Sequence, residues 1–155
     1  MTSKESIIDH LKSIIPGYGA YHAQESRRED DRLTRQFLVK RIDQCKASLD
    51  DLGGQAAKSG DLDSPLQYEK LRNDLDRARS RLAAAVEGYS GWFNNRTVDE
   101  TLLAQVAQQD SNLVSVVDLI GQQMEEKPIS LDKLKESIAL LHQRIDRRSE
   151  LLKQA

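Results

Sequence analysis

Residues whose side chains could carry chemistry are few and scattered along this chain. The three histidines, His10, His22 and His142, lie far apart, and no Glu-x-x-His pair accompanies them, which argues against a di-iron site of the ferritin type. Cys45 is the single cysteine and falls among apolar residues at helical spacing, which is typical of an inert buried thiol. Neither a glycine-rich phosphate loop nor a Gly-x-Ser-x-Gly nucleophile motif occurs. We therefore predict a protein that is not an enzyme and that holds no cofactor or metal.

Aromatic and arginine side chains form the one concentration of residue types suited to binding. Two segments that begin with Gly-Tyr, at residues 17–21 and 88–93, each precede a predicted long helix, and folding the helices back on one another brings both segments to one end. Such residues dominate interaction hot spots, but Tyr and Trp also close the ends of helical bundles as a structural plug. The candidate partner-binding residues are Tyr18, Tyr21, Arg27, Arg28, Tyr89, Trp92 and Phe93.

A short amphipathic helix is predicted over residues 3–15, before Pro16-Gly17 ends it. Its apolar side chains recur at intervals of three and four, which places them on one face. This helix is too short to be stable alone in water, so we expect the face to dock on the rest of the chain. A membrane surface or the groove of a partner is the alternative. The docking face consists of Ile7, Ile8, Leu11, Ile14 and Ile15.

The rest of the sequence predicts an all-α fold, a bundle of four long antiparallel helices that follow the short helix. The helices are expected over residues 21–52, 65–88, 98–124 and 131–153, within a single domain of residues 1–155. Gly53-Gly54 is interpreted as the end of the first long helix, and Ser130 as the N-cap of the last. Short connections make helices that follow one another in sequence antiparallel neighbours.

The face of the first long helix that is expected to be buried is apolar in its C-terminal half and polar in its N-terminal half. Leu38, Ile42 and Cys45 continue to Leu49 and Leu52 as an apolar stripe, whereas the same stripe passes through Arg27, Asp31 and Thr34 nearer the N-terminus. The segment of residues 25–32 contains three arginines and four acids, many of them three or four residues from an opposite charge. We interpret it as a solvated face with ion pairs; the alternative is that Arg27 or Arg28 faces a groove or a partner.

An antiparallel arrangement of successive helices also predicts specific neighbours. If the hairpin of the first two long helices has its midpoint near residue 58, Leu52 lies beside Pro65 and Cys45 lies beside Arg72. Asp110 interrupts an apolar stripe of the third long helix. If the hairpin of the last two helices has its midpoint at residue 127 or 128, Asp110 lies within one turn of Arg144 and Arg148. Because an unpaired acid on a buried face is costly, we predict an ion pair between Asp110 and Arg144 or Arg148.

Composition and charge limit the classes of partner. The chain has 155 residues and a formal net charge of −2, and the basic residues near Arg27 wrap around their helix instead of lining one side, which argues against nucleic acid. No apolar run approaches the ~20 residues of a membrane span, so an integral membrane protein is not expected. The single cysteine and the N-terminus without a basic-then-apolar pattern favour a cytoplasmic location.

Three hypotheses of function remain open from the sequence. The first is a non-catalytic protein-interaction or scaffolding protein that self-associates or serves as a subunit of a larger assembly. The second is a peripheral membrane protein that uses the N-terminal amphipathic helix. The third is a sensor that binds a small molecule at the aromatic end.

Overall fold

The computed structural model describes residues 4–84, 92 and 99–153, and this part of the chain contains helices and no strands. The helices are α1 (Lys4–Ile14), a 3-10 turn (Gln24–Ser26), α2 (Arg27–Lys58), α3 (Ser64–Ala83), α4 (Glu100–Glu125) and α5 (Leu131–Lys153). Among the described helices, none combines the length and the apolar character that crossing a membrane requires.

Helices that follow one another pair in opposite directions. Between α2 and α3, Asp43 bonds Arg79 and Asp50 bonds Arg72, both at 2.8 Å, so residue numbers fall along α3 as they rise along α2. Between α4 and α5, Ser137 donates to Gln123 at 2.8 Å, and Arg148 meets the earlier residue Asp110. The α2–α3 and α4–α5 pairs are therefore antiparallel hairpins, as the short connections predict.

The two hairpins lie side by side, with α2 against α4 and α3 against α5. Arg41 of α2 bonds Asp118 of α4 at 2.6 Å, and ten residues earlier Asp31 shares Arg148 with Asp110 of α4. Residue numbers therefore increase in the same direction along α2 and α4, so these two helices run parallel. A description in which all the long helices are antiparallel to their neighbours is too simple, since each helix has one antiparallel and one parallel neighbour.

The apolar stripes predicted from the sequence meet in one core. Leu38, Ile42 and Leu75 are at most 1% exposed, and so are Leu113 and Ile138. Burial of each such side chain contributes ~1.5–3 kcal/mol. These stripes supply the framework on which the polar residues near the N-terminal end of α2 are held.

The short helix α1 lies against α4 and joins this core. On its docking face Leu11 and the following Ile15 are almost completely buried, whereas Ile7, Ile8 and Ile14 are half-buried and packed against core residues. The helix extends over Lys4–Ile14, close to the predicted 3–15, of which residue 3 lies outside the described part. Its apolar face is engaged by the chain itself.

Both predicted ends of the first long helix are wrong by six residues. The helix begins at Arg27, because residues 15–26 form a connection built around a left-handed turn, and it continues through Gly53-Gly54 to Lys58. Its end is a Schellman motif: Gly60 has φ +85°, its N–H donates to Ala57 O at 3.2 Å, and Asp61 N–H donates to Ala56 O at 3.0 Å. The glycine that ends the helix is therefore Gly60.

The longer helix moves the centre of the hairpin. Arg72 pairs with Asp50, five residues beyond the predicted neighbour Cys45. At the far end, α3 stops at Ala83 because Ala84 is extended, with ψ 151°, whereas the sequence predicted a helix to residue 88. Residues 85–88 of that prediction lie outside the described residues.

The remaining helix ends agree more closely with the sequence. Helix α4 begins at Glu100, two residues after the predicted start at residue 98, which lies outside the described part. Asp99 caps it by accepting the Thr101 N–H at 2.9 Å. Ser130 caps α5 by accepting from Lys133 N–H at 3.3 Å, which confirms that prediction.

Candidate functional site: a buried tyrosine, arginine and carboxylate network

The connection between α1 and α2 is a strained turn wrapped around one carboxylate. Ala20 and Tyr21 both adopt left-handed conformations, with φ of 54° and 65°. Asp30 accepts the Tyr21 N–H at 3.1 Å, and a Cβ at Gly19 would lie 2.9 Å from its carboxylate, so any larger residue there would displace that carboxylate. A left-handed residue other than glycine costs about 1 kcal/mol or more. This turn aims the Tyr21 side chain into the core.

Asp110 is the centre of the network and is completely buried on α4. One of its oxygens accepts the hydroxyls of Tyr18 and Tyr21, at 2.9 Å and 2.6 Å, and the other accepts Arg148 Nε at 2.8 Å. The predicted pair between Asp110 and Arg148 is thus confirmed, and Arg144 is not the partner. Three donors on one carboxylate compensate for the loss of its hydration.

Arg148 joins the two hairpins inside the protein, close to the N-terminal end of α2. Its Nη2 donates to Asp31 at 2.8 Å and to the Tyr21 hydroxyl at 3.0 Å, while its Nε holds Asp110. Asp31 in turn accepts Arg35 Nε at 2.8 Å, and Arg35 Nη1 reaches the Leu82 carbonyl at 3.0 Å near the end of α3. The network therefore connects the turn before α2 with all four long helices.

The charges of this network balance within the core. Two arginines, Arg35 and Arg148, face two carboxylates, Asp31 and Asp110, so the buried group is neutral as a whole. Burial acts to lower the pKa of Arg148, but the negative charges of Asp110 and Asp31 outweigh it and raise that pKa well above its usual value. Burial raises the pKa of Asp110, and Arg148 and the tyrosine hydroxyls oppose that rise. Such a group is stable only while every partner is present.

The two tyrosines are held as neutral phenols. Burial raises the pKa of Tyr18 and of Tyr21 far above the ordinary value, and the negative charge of Asp110 raises both further. In this form each hydroxyl donates to the carboxylate, and the Tyr21 oxygen can still accept from Arg148. Neither hydroxyl reaches solvent, since Tyr18 is 3% exposed and Tyr21 is completely buried.

The predicted clustering of aromatic residues near Arg27 is present among those that the structure describes. The rings of Tyr18 and Tyr21 meet edge to face with centroids 5.8 Å apart, and Tyr21 meets Trp92 at 5.3 Å. Arg27 stacks over the Trp92 ring at 5.4 Å and donates to the carbonyls of Tyr21 and Trp92. Tyr89 and Phe93 lie outside the described residues.

Exposure separates the candidate partner-binding residues. Tyr18, Tyr21, Arg27 and Trp92 are each at most 3% exposed, whereas Arg28 is on the surface. The four buried residues therefore form a plug within this chain, and a partner could touch them only after the end of the fold opens. The interpretation of residues 25–32 as a solvated face is wrong for Arg27 and for the buried acids Asp30 and Asp31.

Some of this network left a signal in the sequence. Asp31, Asp110 and Arg148 each fall on an apolar stripe, and a charged residue at such a position needs a partner inside. The contributions of the tyrosine hydroxyls and of Asp30 were missed. They depend on the left-handed Ala20-Tyr21 turn, and residues of those types give no sign of that conformation.

A surface groove of about 610 Å³ lies between the C-terminal halves of α2 and α4. Cys45, Leu52 and Val117 contribute apolar surface, while Arg41 and Asp118 form a salt bridge on its wall. Burial raises the pKa of the Cys45 thiol to about 11, which fits the inert thiol that the sequence predicted. This groove is open to solvent, unlike the tyrosine network.

The described residues offer little chemistry beyond these features. Within residues 4–84, 92 and 99–153, no group of three or more His, Cys, Asp and Glu side chains is placed to hold a metal ion. Comparison of the chain with protein-family models, with curated protein sequences and with solved structures finds no significant match. The function must therefore be argued from the geometry alone.

Proposed function

We propose that this chain is a non-catalytic protein-interaction or scaffolding protein that self-associates or serves as a subunit of an assembly. The observation that carries the proposal is the burial of its polar network away from solvent. Tyr21, Asp31 and Asp110 are 0% exposed and Arg148 is 4% exposed, so their hydrogen bonds hold helices together instead of meeting a substrate.

A rigid frame of this kind suits an interaction role. The buried charges specify how the two hairpins fit together, because any other register would leave a charged group unpaired in the core. We infer that the four long helices act as one bundle of two antiparallel hairpins that presents fixed helix faces to its surroundings. The single cysteine, with its raised pKa, fits a cytoplasmic protein.

The other two hypotheses have less support from the geometry. Membrane binding through α1 would require Leu11 and Ile15 to leave the core, and a sensor site at the aromatic end would require room where Tyr21 and Trp92 already fill the space. Flotation of the full chain with anionic liposomes would favour the membrane hypothesis. A small molecule that raises the melting temperature of the wild type but not that of Trp92→Ala would favour the sensor hypothesis.

The proposal is tested by cross-linking in the source cells, combined with light scattering on the purified full chain. We expect either an oligomer in solution or a specific cross-linked complex with another protein. A chain that stays strictly monomeric and that cross-links to nothing in its own cells would refute the proposal.

A further inference from the structure

The outer face of α4 has an unusual composition. Seven positions recur at alternating intervals of four and three along this face, and each is exposed or half-exposed. None of the seven side chains carries a charge, although 31% of the residues of the chain are charged. The stripe, called the α4 face below, consists of Thr101, Gln105, Gln108, Asn112, Ser115, Leu119 and Gln122.

The described outer faces of the other long helices are different. Exposed positions of α2 include Arg28, Glu29 and Arg32, and exposed positions of α5 include Lys135 and Arg147. Long charged side chains of this kind are costly to immobilise and to dehydrate, and the cores of protein interfaces are depleted of them. The α4 face lacks that obstacle.

Two charged residues occur between Thr101 and Gln122, and neither disturbs the stripe. Asp110 is sealed in the core by Arg148, and Asp118 points to the α2 side, where Arg41 neutralises it at 2.6 Å. The residue beside the end of the stripe is Gly121, and a Cβ built there meets no atom within 4 Å. The groove of about 610 Å³ opens on this flank.

The spacing and chemistry of the face fit a second helix. Intervals of three and four place the seven side chains in one row along α4, so a helix packed lengthwise against this face would contact all of them. Leu119, at 39% exposed, is a large apolar anchor on it, and the neighbouring groove offers space for a side chain from a partner. Gln108 donates to Asn112 at 2.9 Å, so two of the seven side chains are hydrogen-bonded to each other along the face.

We propose that the α4 face is a dimerisation surface that binds the same face of a second copy of this chain. The proposal rests on the interaction role proposed above and identifies the partner and the surface. A symmetric dimer requires a patch that complements itself. Amide and hydroxyl side chains do so because each both donates and accepts hydrogen bonds. Two copies that each carry a net charge of −2 can approach along a neutral face without placing like charges together.

The main test compares two leucine variants of the full chain by sedimentation equilibrium. Leu119→Lys places a charge on the α4 face, and Leu66→Lys makes the same change at a residue on α3 that is 61% exposed. We expect the wild type and Leu66→Lys to dimerise equally, and Leu119→Lys to weaken the dimer by about tenfold or more. Circular dichroism of both variants verifies that the helices remain folded.

Cross-linking provides a second measurement that does not depend on a disruptive change. In a Cys45→Ser background, Ser115→Cys places a thiol on the α4 face, and Ser80→Cys places one on the exposed side of α3. A short bis-maleimide should join two copies through position 115 and leave position 80 unjoined. Joining through position 80 alone would overturn the proposal.

The outcomes separate this surface from the broader function. A dimer that Leu66→Lys dissociates and Leu119→Lys does not would overturn the α4 face and leave self-association in place. A wild type that is monomeric at every concentration would also overturn it, while the interaction role would then depend on the complexes found by cross-linking in cells.

Discussion

The two halves of α2 bury one continuous stripe by different means. In the C-terminal half, Leu38 and Ile42 are completely buried among apolar neighbours and need no particular partner. In the N-terminal half, Asp31 and Thr34 are equally buried, and each depends on specific hydrogen bonds. Helical periodicity thus decides which positions are buried, and the residue type decides how many other elements must be in place.

The difference concerns specificity more than stability. Apolar surfaces tolerate small shifts in register, whereas Asp31 is satisfied only when Arg35 and Arg148 both reach it, at 2.8 Å each. The N-terminal half of α2 therefore fixes the position of α5 and α4, and the C-terminal half contributes burial.

Loss of Arg148 should produce the largest effect. Arg148→Met leaves Asp31 and Asp110 as two carboxylates in the core without their shared cation, which should lower the free energy of unfolding by ~3–5 kcal/mol. Arg147→Met, one residue earlier on the exposed side of α5, should change it by less than ~0.5 kcal/mol. Urea denaturation of the two variants measures both values.

The same experiment can be extended to a double-mutant cycle. Adding Asp110→Asn to Arg148→Met removes one of the two uncompensated charges, so the second change should cost less than it does alone. Strict additivity of the two changes would show that Asp110 and Arg148 do not act together, and the contrast between the two halves of α2 would fail.

Truncation in the apolar half should cost somewhat less. Leu38→Ala removes a completely buried side chain and should lower the free energy of unfolding by ~2–5 kcal/mol through lost burial and the cavity that remains. Leu66→Ala, at a position 61% exposed, is the matched control and should be nearly neutral. Urea denaturation again measures both, and equal costs for the two leucines would contradict the burial of Leu38.

Alkaline pH should destabilise the network at the N-terminal half of α2 through its two tyrosines. The folded pKa values of Tyr18 and Tyr21 lie above the unfolded value of ~10, so their contribution to stability is complete below pH ~10 and is lost as the pH rises. Each tyrosine should lower the free energy of unfolding by ~1.4 kcal/mol per pH unit above that point.

Comparison of the wild type with Tyr18→Phe isolates this effect. The variant should lose one tyrosine's share of the slope, about 1.4 kcal/mol per pH unit. Cys45, whose pKa of about 11 also lies above the ordinary value, contributes equally to both proteins. Urea denaturation between neutral and strongly alkaline pH provides the measurement, and identical slopes would mean that Tyr18 is ionised as easily in the folded protein as in the unfolded chain.

The sequence was informative wherever periodicity alone decides the structure. The apolar stripes, the order of the helices and the pairing of Asp110 with Arg148 follow from spacing, because a charged residue on an apolar stripe must find its opposite. The network around Tyr21 could not be predicted, because its side-chain direction depends on a left-handed backbone at Ala20 and Tyr21. The choice of Arg148 over Arg144 depends on the exact centre of the α4–α5 connection, which spacing locates only to within one turn.

The smallest predicted effects concern two glycines near the C-terminal end of α2, whose replacement by alanine should change the free energy of unfolding in opposite directions. Gly54 lies inside the helix with no atom within 4 Å of a built Cβ, so Gly54→Ala should raise the free energy of unfolding by up to ~1 kcal/mol through helix propensity. Gly60 has equal space but a φ of +85°, so Gly60→Ala should lower it by about 1 kcal/mol. Urea denaturation distinguishes the two, and the pair is matched because both changes add one methyl group to open space. If the helix instead ended at Gly53-Gly54, Gly54→Ala would destabilise the protein and Gly60→Ala would have little effect. The C-terminal half of α2 would then be about one turn and a half shorter. The hairpin would be centred near residue 58, and Arg72 would lie beside Cys45 instead of Asp50.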